Sequence, residues 1–172
     1  MKRFIIYVIL IVFCFILQSN ILQVVSFNGI VPNLLIVLSA TVGFMRGRRE
    51  GLLVGFFCGF LVDVFFGEVL GVYALLYMCF GYVNGFFCHI FYPEDIKLPI
   101  GLILLSDLSY GVVCYFLMFV LRARFHFGHF FAHIILPEVI YTILITLLLY
   151  PLLLKLNQQL EKTEKRSEKK FV

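Results

Sequence analysis

The chain has 172 residues, of which 62% are hydrophobic and 14% charged, and its formal net charge is +4. Soluble domains are about 45–50% apolar and about 25% charged, so this composition excludes an ordinary soluble globule and also intrinsic disorder. The mean hydropathy of +1.03 indicates that the lipid bilayer is the solvent of this chain, in which one span needs about 20 mostly apolar residues.

Six apolar segments follow one another along the chain, and each is predicted to be a transmembrane helix. They cover residues 4–25, 32–45, 51–66, 70–91, 98–121 and 130–154. The first segment has no small-x-small cleavage site after it, so it is interpreted as a span and not as a signal peptide. The predicted fold is therefore all-α, with six transmembrane helices in one bundle over residues 1–155 and a charged cytoplasmic tail over residues 156–172.

The positions of Lys and Arg orient the chain, because cytoplasmic loops carry an excess of these residues. If the N-terminus is cytoplasmic, twelve of the 14 Lys and Arg residues fall in cytoplasmic segments. Arg122 and Arg124 then lie outside. An odd number of spans would place the tail or the N-terminus on the wrong side. The sequence therefore predicts that both termini are cytoplasmic.

Small residues recur at every fourth position of the third segment. They are Gly51, Gly55, Gly59 and Asp63. On a helix, residues spaced by four lie along one ridge, and glycines on that ridge let a second helix approach closely. Two interpretations stay open: the ridge packs inside the bundle, which is preferred, or it is a docking face for another protein.

A short charged turn separates the second and third segments. It contains Arg46, Arg48, Arg49 and Glu50. In the predicted orientation this turn is cytoplasmic, where arginines bind lipid phosphate and the carbonyl groups at helix ends. The turn is also a candidate docking point for a cytoplasmic partner.

Two carboxylic acids, Asp107 and Glu138, lie within the fifth and sixth segments. A carboxylate inside hydrocarbon costs several kcal/mol unless it faces protein or water. One interpretation is a proton or ion relay. The preferred one is a buried structural network, whose expected partners include Ser106, Asn84 and Thr142. Asp63 lies near the end of its segment, where a position at the membrane interface is expected.

The sequence contains no motif for catalysis or nucleotide binding, so no enzyme activity and no cofactor are expected. His126, His129 and His133 have a spacing that some zinc sites share, but they sit among phenylalanines with no carboxylate or thiol near them in sequence. They are interpreted as interfacial packing residues. The tail mixes both signs of charge, which argues against nucleic-acid binding and favours a solvated segment with some attraction to anionic lipid.

A series of short motifs runs through the first half of the chain. In order they are Pro32-Asn33-Leu34-Leu35, Arg46-Gly47-Arg48-Arg49-Glu50-Gly51, Gly55-Phe56, Gly59-Phe60-Leu61-Val62-Asp63, Gly67, Leu70-Gly71-Val72-Tyr73-Ala74-Leu75 and Gly81-Tyr82. Their order and spacing resemble the rod shape-determining protein MreD family. The resemblance covers about residues 18–85 well, whereas the fifth and sixth segments match only in general character.

The resemblance implies a non-enzymatic subunit of the bacterial elongation machinery in the cytoplasmic membrane. Its implied partners are the bitopic scaffold MreC and, through it, the actin-like MreB and the peptidoglycan polymerase and transpeptidase of the lateral wall. The family is also similar in fold to the substrate-binding subunits of energy-coupling-factor vitamin transporters. A small-molecule-binding transporter subunit is therefore the alternative, although the Ala-x-x-x-Ala docking pattern of those subunits is absent.

Overall fold

The computed structural model describes residues 2–22, 30–67, 69–90, 96–117 and 127–168. Within these ranges the chain forms helices and no strand, which confirms the predicted all-α class. The main helices are α1 (Lys2–Ile16), α2 (Leu34–Arg46), α3 (Arg48–Phe66), α4 (Val72–Asn84), α5 (Lys97–Tyr115) and α6 (Leu136–Glu168). A π-helical turn, Leu17–Ile21, continues α1, and a 3₁₀ turn, Gly85–Ile90, continues α4.

Within the described residues, four helical stretches are long and apolar enough to cross a membrane. They are Arg3–Asn20, Val72–Ile90, Lys97–Tyr115 and Phe131–Thr163. Helix α2 is apolar but has only 13 residues. Helix α3 has 19 residues, but charged side chains occupy its first turn and Asp63 lies near its end. The structure therefore supports a helical membrane protein, and the six-span count stays a prediction.

Helix α2 is the central helix of the bundle. Every residue from Leu34 to Met45 is buried, and α1, α3, α4, α5 and α6 all contact this helix. It begins two residues later than predicted because Asn33 is its N-cap, and the Asn33 Oδ1 accepts a hydrogen bond from the Ile36 N–H at 3.3 Å. Neighbouring helices, and not lipid, therefore surround α2.

The last helix runs past residue 155, where the sequence predicts the boundary between the membrane domain and the tail, and that boundary stays a prediction. Helix α6 continues without a break from Leu136 to Glu168, and its 33 residues correspond to a length of about 50 Å. It thus joins the apolar segment to the charged one as a single rod. Some predicted features lie outside the described residues, namely the segment ends at 23–25, 91 and 118–121, the loop arginines Arg122 and Arg124, and residues 169–172 of the tail.

Contacts between helix ends show that successive helices run in opposite directions. Arg3 at the start of α1 forms an ion pair with Glu50 at the start of α3, and Arg46 at the end of α2 contacts Asn157 in α6. We call this side of the bundle the Glu50 end. The opposite side, which contains Asp63 and the start of α2, is called the Asp63 end.

Candidate functional site

The glycine ridge of α3 lies directly against the backbone of α4. A Cβ atom on Gly55 would overlap the carbonyl oxygen of Tyr77, and one on Gly59 would overlap that of Tyr73. Because the obstructing atoms are backbone atoms, they cannot rotate away as a flexible side chain would. The absence of side chains on this ridge is therefore what allows α3 and α4 to touch.

The same contact is reciprocal at the Glu50 end of the ridge. Added Cβ atoms on Gly51 and Gly81 would each overlap the carbonyl oxygen of the other residue, and a Cβ on Gly43 of α2 would overlap the oxygen of Gly81 as well. The hydroxyl of Ser39 on α2 donates a hydrogen bond to the carbonyl oxygen of Tyr77 at 3.2 Å. Helices α2, α3 and α4 therefore form one closely packed unit, in which α4 occupies the ridge.

Asp63 continues the ridge with a different kind of contact. Its side chain is only 2% exposed, and its Oδ1 and Oδ2 accept hydrogen bonds from the N–H groups of Tyr73 (3.0 Å) and Ala74 (2.7 Å). Helix α4 starts after Gly71, which has a φ of 100° and offers no capping side chain. Asp63 thus supplies from α3 the negative cap that the first turn of α4 lacks. Protein encloses this carboxylate, and its position at the membrane interface stays a prediction.

The arginines of the charged turn make separate contacts. Arg46 donates from Nε to the side-chain oxygen of Asn157 and from Nη2 to its backbone oxygen at 3.3 Å, so it connects α2 to α6. The guanidinium of Arg48 lies 3.9 Å above the ring of Phe86. Arg49 is exposed. Arg46 therefore makes its contacts within the protein, whereas the side chain of Arg49 is exposed on the surface.

Glu50 and Gly47 shape the same turn. The carboxylate of Glu50 pairs with Arg3 and accepts a hydrogen bond from the Tyr7 hydroxyl at 2.9 Å, which attaches α1 to α3. Gly47 has a φ of 99°, in the left-handed region that side chains other than glycine rarely adopt. This residue lets the chain reverse direction between Arg46 and Arg48 without a longer loop.

Asp107 and Glu138 face each other across α5 and α6. Asp107 is 2% exposed, and it lies close enough to Glu138 for the two carboxyl groups to interact electrostatically. Neither carboxyl oxygen of Asp107 has a hydrogen-bond partner among the described residues. Of the partners expected from sequence, Thr142 lies near Asp107, but the expected hydrogen bond between them does not form in the described structure. Asn84 and Ser106 instead bond to each other, at 2.7 Å.

Asn33 is the centre of the polar network beside these acids, and sequence reasoning missed it. Its N–H donates to the Thr142 hydroxyl at 3.2 Å, and its side-chain oxygen accepts from the Tyr77 hydroxyl at 2.7 Å. The rings of Tyr77 and Tyr110 meet edge to face at 5.2 Å. One asparagine thus joins α2, α4 and α6. The available signal was its position after Pro32 at the start of an apolar segment.

A partly open cavity of about 230 Å³ lies at the Asp63 end of the bundle. All six helices or their continuations contribute to its wall. The lining residues are Phe15, Gln18, Ser19, Val31, Asn33, Leu35, Val62, Phe66, Tyr73, Tyr77, Tyr110 and Glu138. The wall therefore combines aromatic rings, uncharged polar groups and one carboxylate.

The structure describes the side chain of one of the three histidines whose spacing some zinc sites share. No group of three His, Cys, Asp or Glu side chains suited to a metal occurs among the described residues. His133 is exposed, whereas His126 and the side chain of His129 lie outside the described residues.

A family model described as rod shape-determining protein MreD matches residues 1–160 of the chain. The matched range contains the glycine ridge, the charged turn, Asp107, Glu138 and the cavity. No curated protein and no solved structure matches the chain. The comparison confirms the family resemblance seen in the motif series.

Proposed function

The chain belongs to the MreD family of rod shape-determining proteins, and from this premise we propose that it is a non-enzymatic scaffold subunit of the bacterial cell-elongation complex. The family match, which spans residues 1–160 of 172, carries the proposal. The family is a shape-determining membrane protein family that is not known as an enzyme family. In this role the protein links cytoskeletal filaments to lateral peptidoglycan synthesis, with MreC as its direct partner and MreB, a polymerase and a transpeptidase reached through MreC.

The topology that we propose has six spans across the bacterial cytoplasmic membrane and both termini in the cytoplasm. Residues 1–155 are then the membrane domain, and residues 156–172 are the cytoplasmic tail. Two observations support this arrangement. The Glu50 end collects Arg3, Arg46 and Arg49, and the bias of Lys and Arg assigns these residues to the cytoplasm. The 50 Å rod of α6 is also longer than the hydrocarbon core of about 30 Å, so its charged part projects into water.

This topology presents two groups of side chains to cytoplasmic partners and anionic lipid. Arg49 is exposed at the charged turn, and Lys162 and Thr163 are exposed on the projecting part of α6. Arg46 and Glu50 hold the helices together from within. The proposal therefore assigns partner or lipid contact to Arg49 and assembly of the bundle to Arg46 and Glu50.

Affinity purification of the tagged full-length chain in mild detergent tests the scaffold role. The expected result is recovery of a bitopic coiled-coil protein and an actin-like protein, identified by mass spectrometry, together with loss of rod shape when the chain is depleted. The Gly101→Leu variant is the matched control, because a Cβ atom added at Gly101 meets nothing within 4 Å. Depleted cells that stay rod-shaped, with neither partner recovered, would contradict the proposal.

The alternative function, a small-molecule-binding subunit of a transporter, has one observation in its favour. This is the cavity of about 230 Å³, since small-molecule sites are usually preformed concave pockets. The same purification separates the two functions. Recovery of two ATPases, and uptake of a vitamin that depends on the chain, would favour transport over the scaffold role.

A further inference from the structure

The cavity at the Asp63 end has no task in the scaffold role. We propose that it binds a compact organic cation, with the ammonium group of the ligand against the Glu138 carboxylate and its carbon substituents against the surrounding aromatic rings. The inference rests on four properties of the cavity. These are its acidic side chain, its hydrogen-bond donors that already have acceptors, its aromatic rings and its size. It does not depend on the scaffold function.

Charge is the first argument. Among the described residues, Glu138 is the one carboxyl side chain in the cavity wall, and none of the described lining residues is basic. Asp107 lies close enough behind it to interact electrostatically. Charges in a partly buried site interact more strongly than in bulk water, and acids inside membranes usually serve a ligand, ion or proton path. A positive ligand would therefore be favoured over a negative one beside these two carboxyl groups.

Three hydrogen-bond donors beside the cavity, which an anionic ligand could otherwise bind, already have acceptors within the protein. The start of α2 borders the cavity, and free N–H groups at a helix start favour anions. The side-chain oxygen of Gln18 accepts from the Leu35 N–H at 3.2 Å, and that of Asn33 accepts from the Ile36 N–H at 3.3 Å. The Tyr77 hydroxyl also donates to Asn33. A phosphate or carboxylate ligand that used these three donors would therefore have to displace internal hydrogen bonds.

Aromatic rings supply the rest of the recognition surface. Phe15, Phe66, Tyr73 and Tyr110 line the cavity, and the rings of Phe15 and Phe66 lie 6.0 Å apart. The face of an aromatic ring attracts ammonium groups, most strongly when water is excluded. A carboxylate next to several rings suits an ammonium ion that carries carbon substituents.

The size of the cavity limits the ligand to a small one. Its volume of about 230 Å³ is below the range of roughly 300–1,000 Å³ for typical ligand pockets. An ethanolamine or choline group fits this space, whereas a nucleotide or a lipid-linked sugar does not. Such a group reaches the Asp63 end either as a lipid headgroup or as a free amine.

Calorimetric titration of the full-length protein in phosphatidylglycerol nanodiscs tests the inference. The probes are choline and its neutral isostere 3,3-dimethylbutan-1-ol. We expect choline to bind at least tenfold more tightly than the isostere. We also expect Glu138→Gln to weaken choline binding at least tenfold. The control is Glu161→Gln, which removes a carboxylate from the same helix outside the cavity and should leave binding unchanged.

Nanodiscs that contain phosphatidylethanolamine identify the source of the ligand. Choline binding that falls in these discs supports a lipid headgroup as the occupant, whereas unchanged binding supports a free amine. Equal binding of choline and the isostere, or no binding of choline, would overturn the inference. Unchanged choline binding by a folded Glu138→Gln variant would do the same. If that variant fails to fold, the comparison of the two probes on the unmodified protein decides.

Discussion

Asp63 lies against the first turn of α4, where its Oδ2 accepts a hydrogen bond from the N–H of Ala74 at 2.7 Å. This contact places the negative charge of one helix at the positive end of its neighbour. It lies next to the glycine ridge, so α3 and α4 are joined by backbone packing along their length and by a charged hydrogen bond at one end.

Replacement of Asp63 should destabilise the α3–α4 pair. Asp63→Ala leaves two N–H groups of α4 without their acceptor, and hydrogen bonds to charged groups contribute about 1.5–3 kcal/mol each. We expect the free energy of unfolding in detergent, followed by circular dichroism during denaturant titration, to fall by about 3 kcal/mol. Asp63→Asn retains one acceptor oxygen and should lose about half as much. An Asp63→Ala variant as stable as the parent would refute the capping role.

Leucine on the glycine ridge should allow insertion but prevent packing. Gly55→Leu and Gly59→Leu make the segment more apolar, so membrane insertion should be normal. Their side chains meet the backbone of α4, so the loss of stability should exceed about 3 kcal/mol, the upper end of ordinary overpacking. Thermal unfolding in detergent measures this loss, with Gly101→Leu as the control.

The same variants distinguish the two roles of the ridge. If the ridge packs only inside the chain, recovery of the bitopic partner should fall together with stability. Full stability with loss of the partner would instead identify the ridge as a docking face. Full stability with the partner retained would mean that the spacing of four residues is accidental.

The contact between Arg46 and Asn157 should be a coupled pair. Arg46→Gln removes the hydrogen bonds that connect α2 to α6, which should cost about 1–2 kcal/mol of unfolding free energy. A double-mutant cycle with Asn157→Ala should give a coupling energy of about 1 kcal/mol. Arg49→Gln, at an exposed site, should change stability by less than about 0.5 kcal/mol. Additive effects of the two substitutions would show that the contact contributes nothing.

Cysteine labelling should place the two ends of the bundle on opposite sides of the membrane. In a cysteine-free background, Leu70→Cys at the Asp63 end should react with a membrane-impermeant maleimide added outside spheroplasts. Lys162→Cys on the projecting part of α6 should react only after lysis. The reverse pattern would contradict the cytoplasmic position of the C-terminus.

The membrane class and the important residue types could be predicted from the sequence because they depend on composition and local spacing. The ridge of Gly51, Gly55 and Gly59 was visible for this reason. The helix that packs on this ridge, α4, was not visible, because a spacing pattern identifies a helix face without identifying what contacts it. The burial of α2 was hidden in the same way, since lipid and protein both select apolar side chains.

The cavity could not be predicted because its wall combines residues that are far apart in the chain. Gln18, Asn33, Tyr77 and Glu138 come from four different helices, and no local pattern connects them. The role of Asp63 was hidden by distance as well, because its two hydrogen-bond donors lie 10 and 11 residues further along the chain, beyond a turn.

The shortness and complete burial of α2 have a consequence for how the protein is made. A 13-residue helix is about 20 Å long, which is shorter than the hydrocarbon core of about 30 Å. Transfer of α2 alone from the translocation machinery into lipid is therefore unfavourable. The tight reversal at Gly47 lets α2 enter as one arm of a hairpin whose other arm is α3. Synthesis of α3 and α4 must then be complete before the central helix acquires its permanent surroundings. The order of translation is thereby part of the assembly of this bundle.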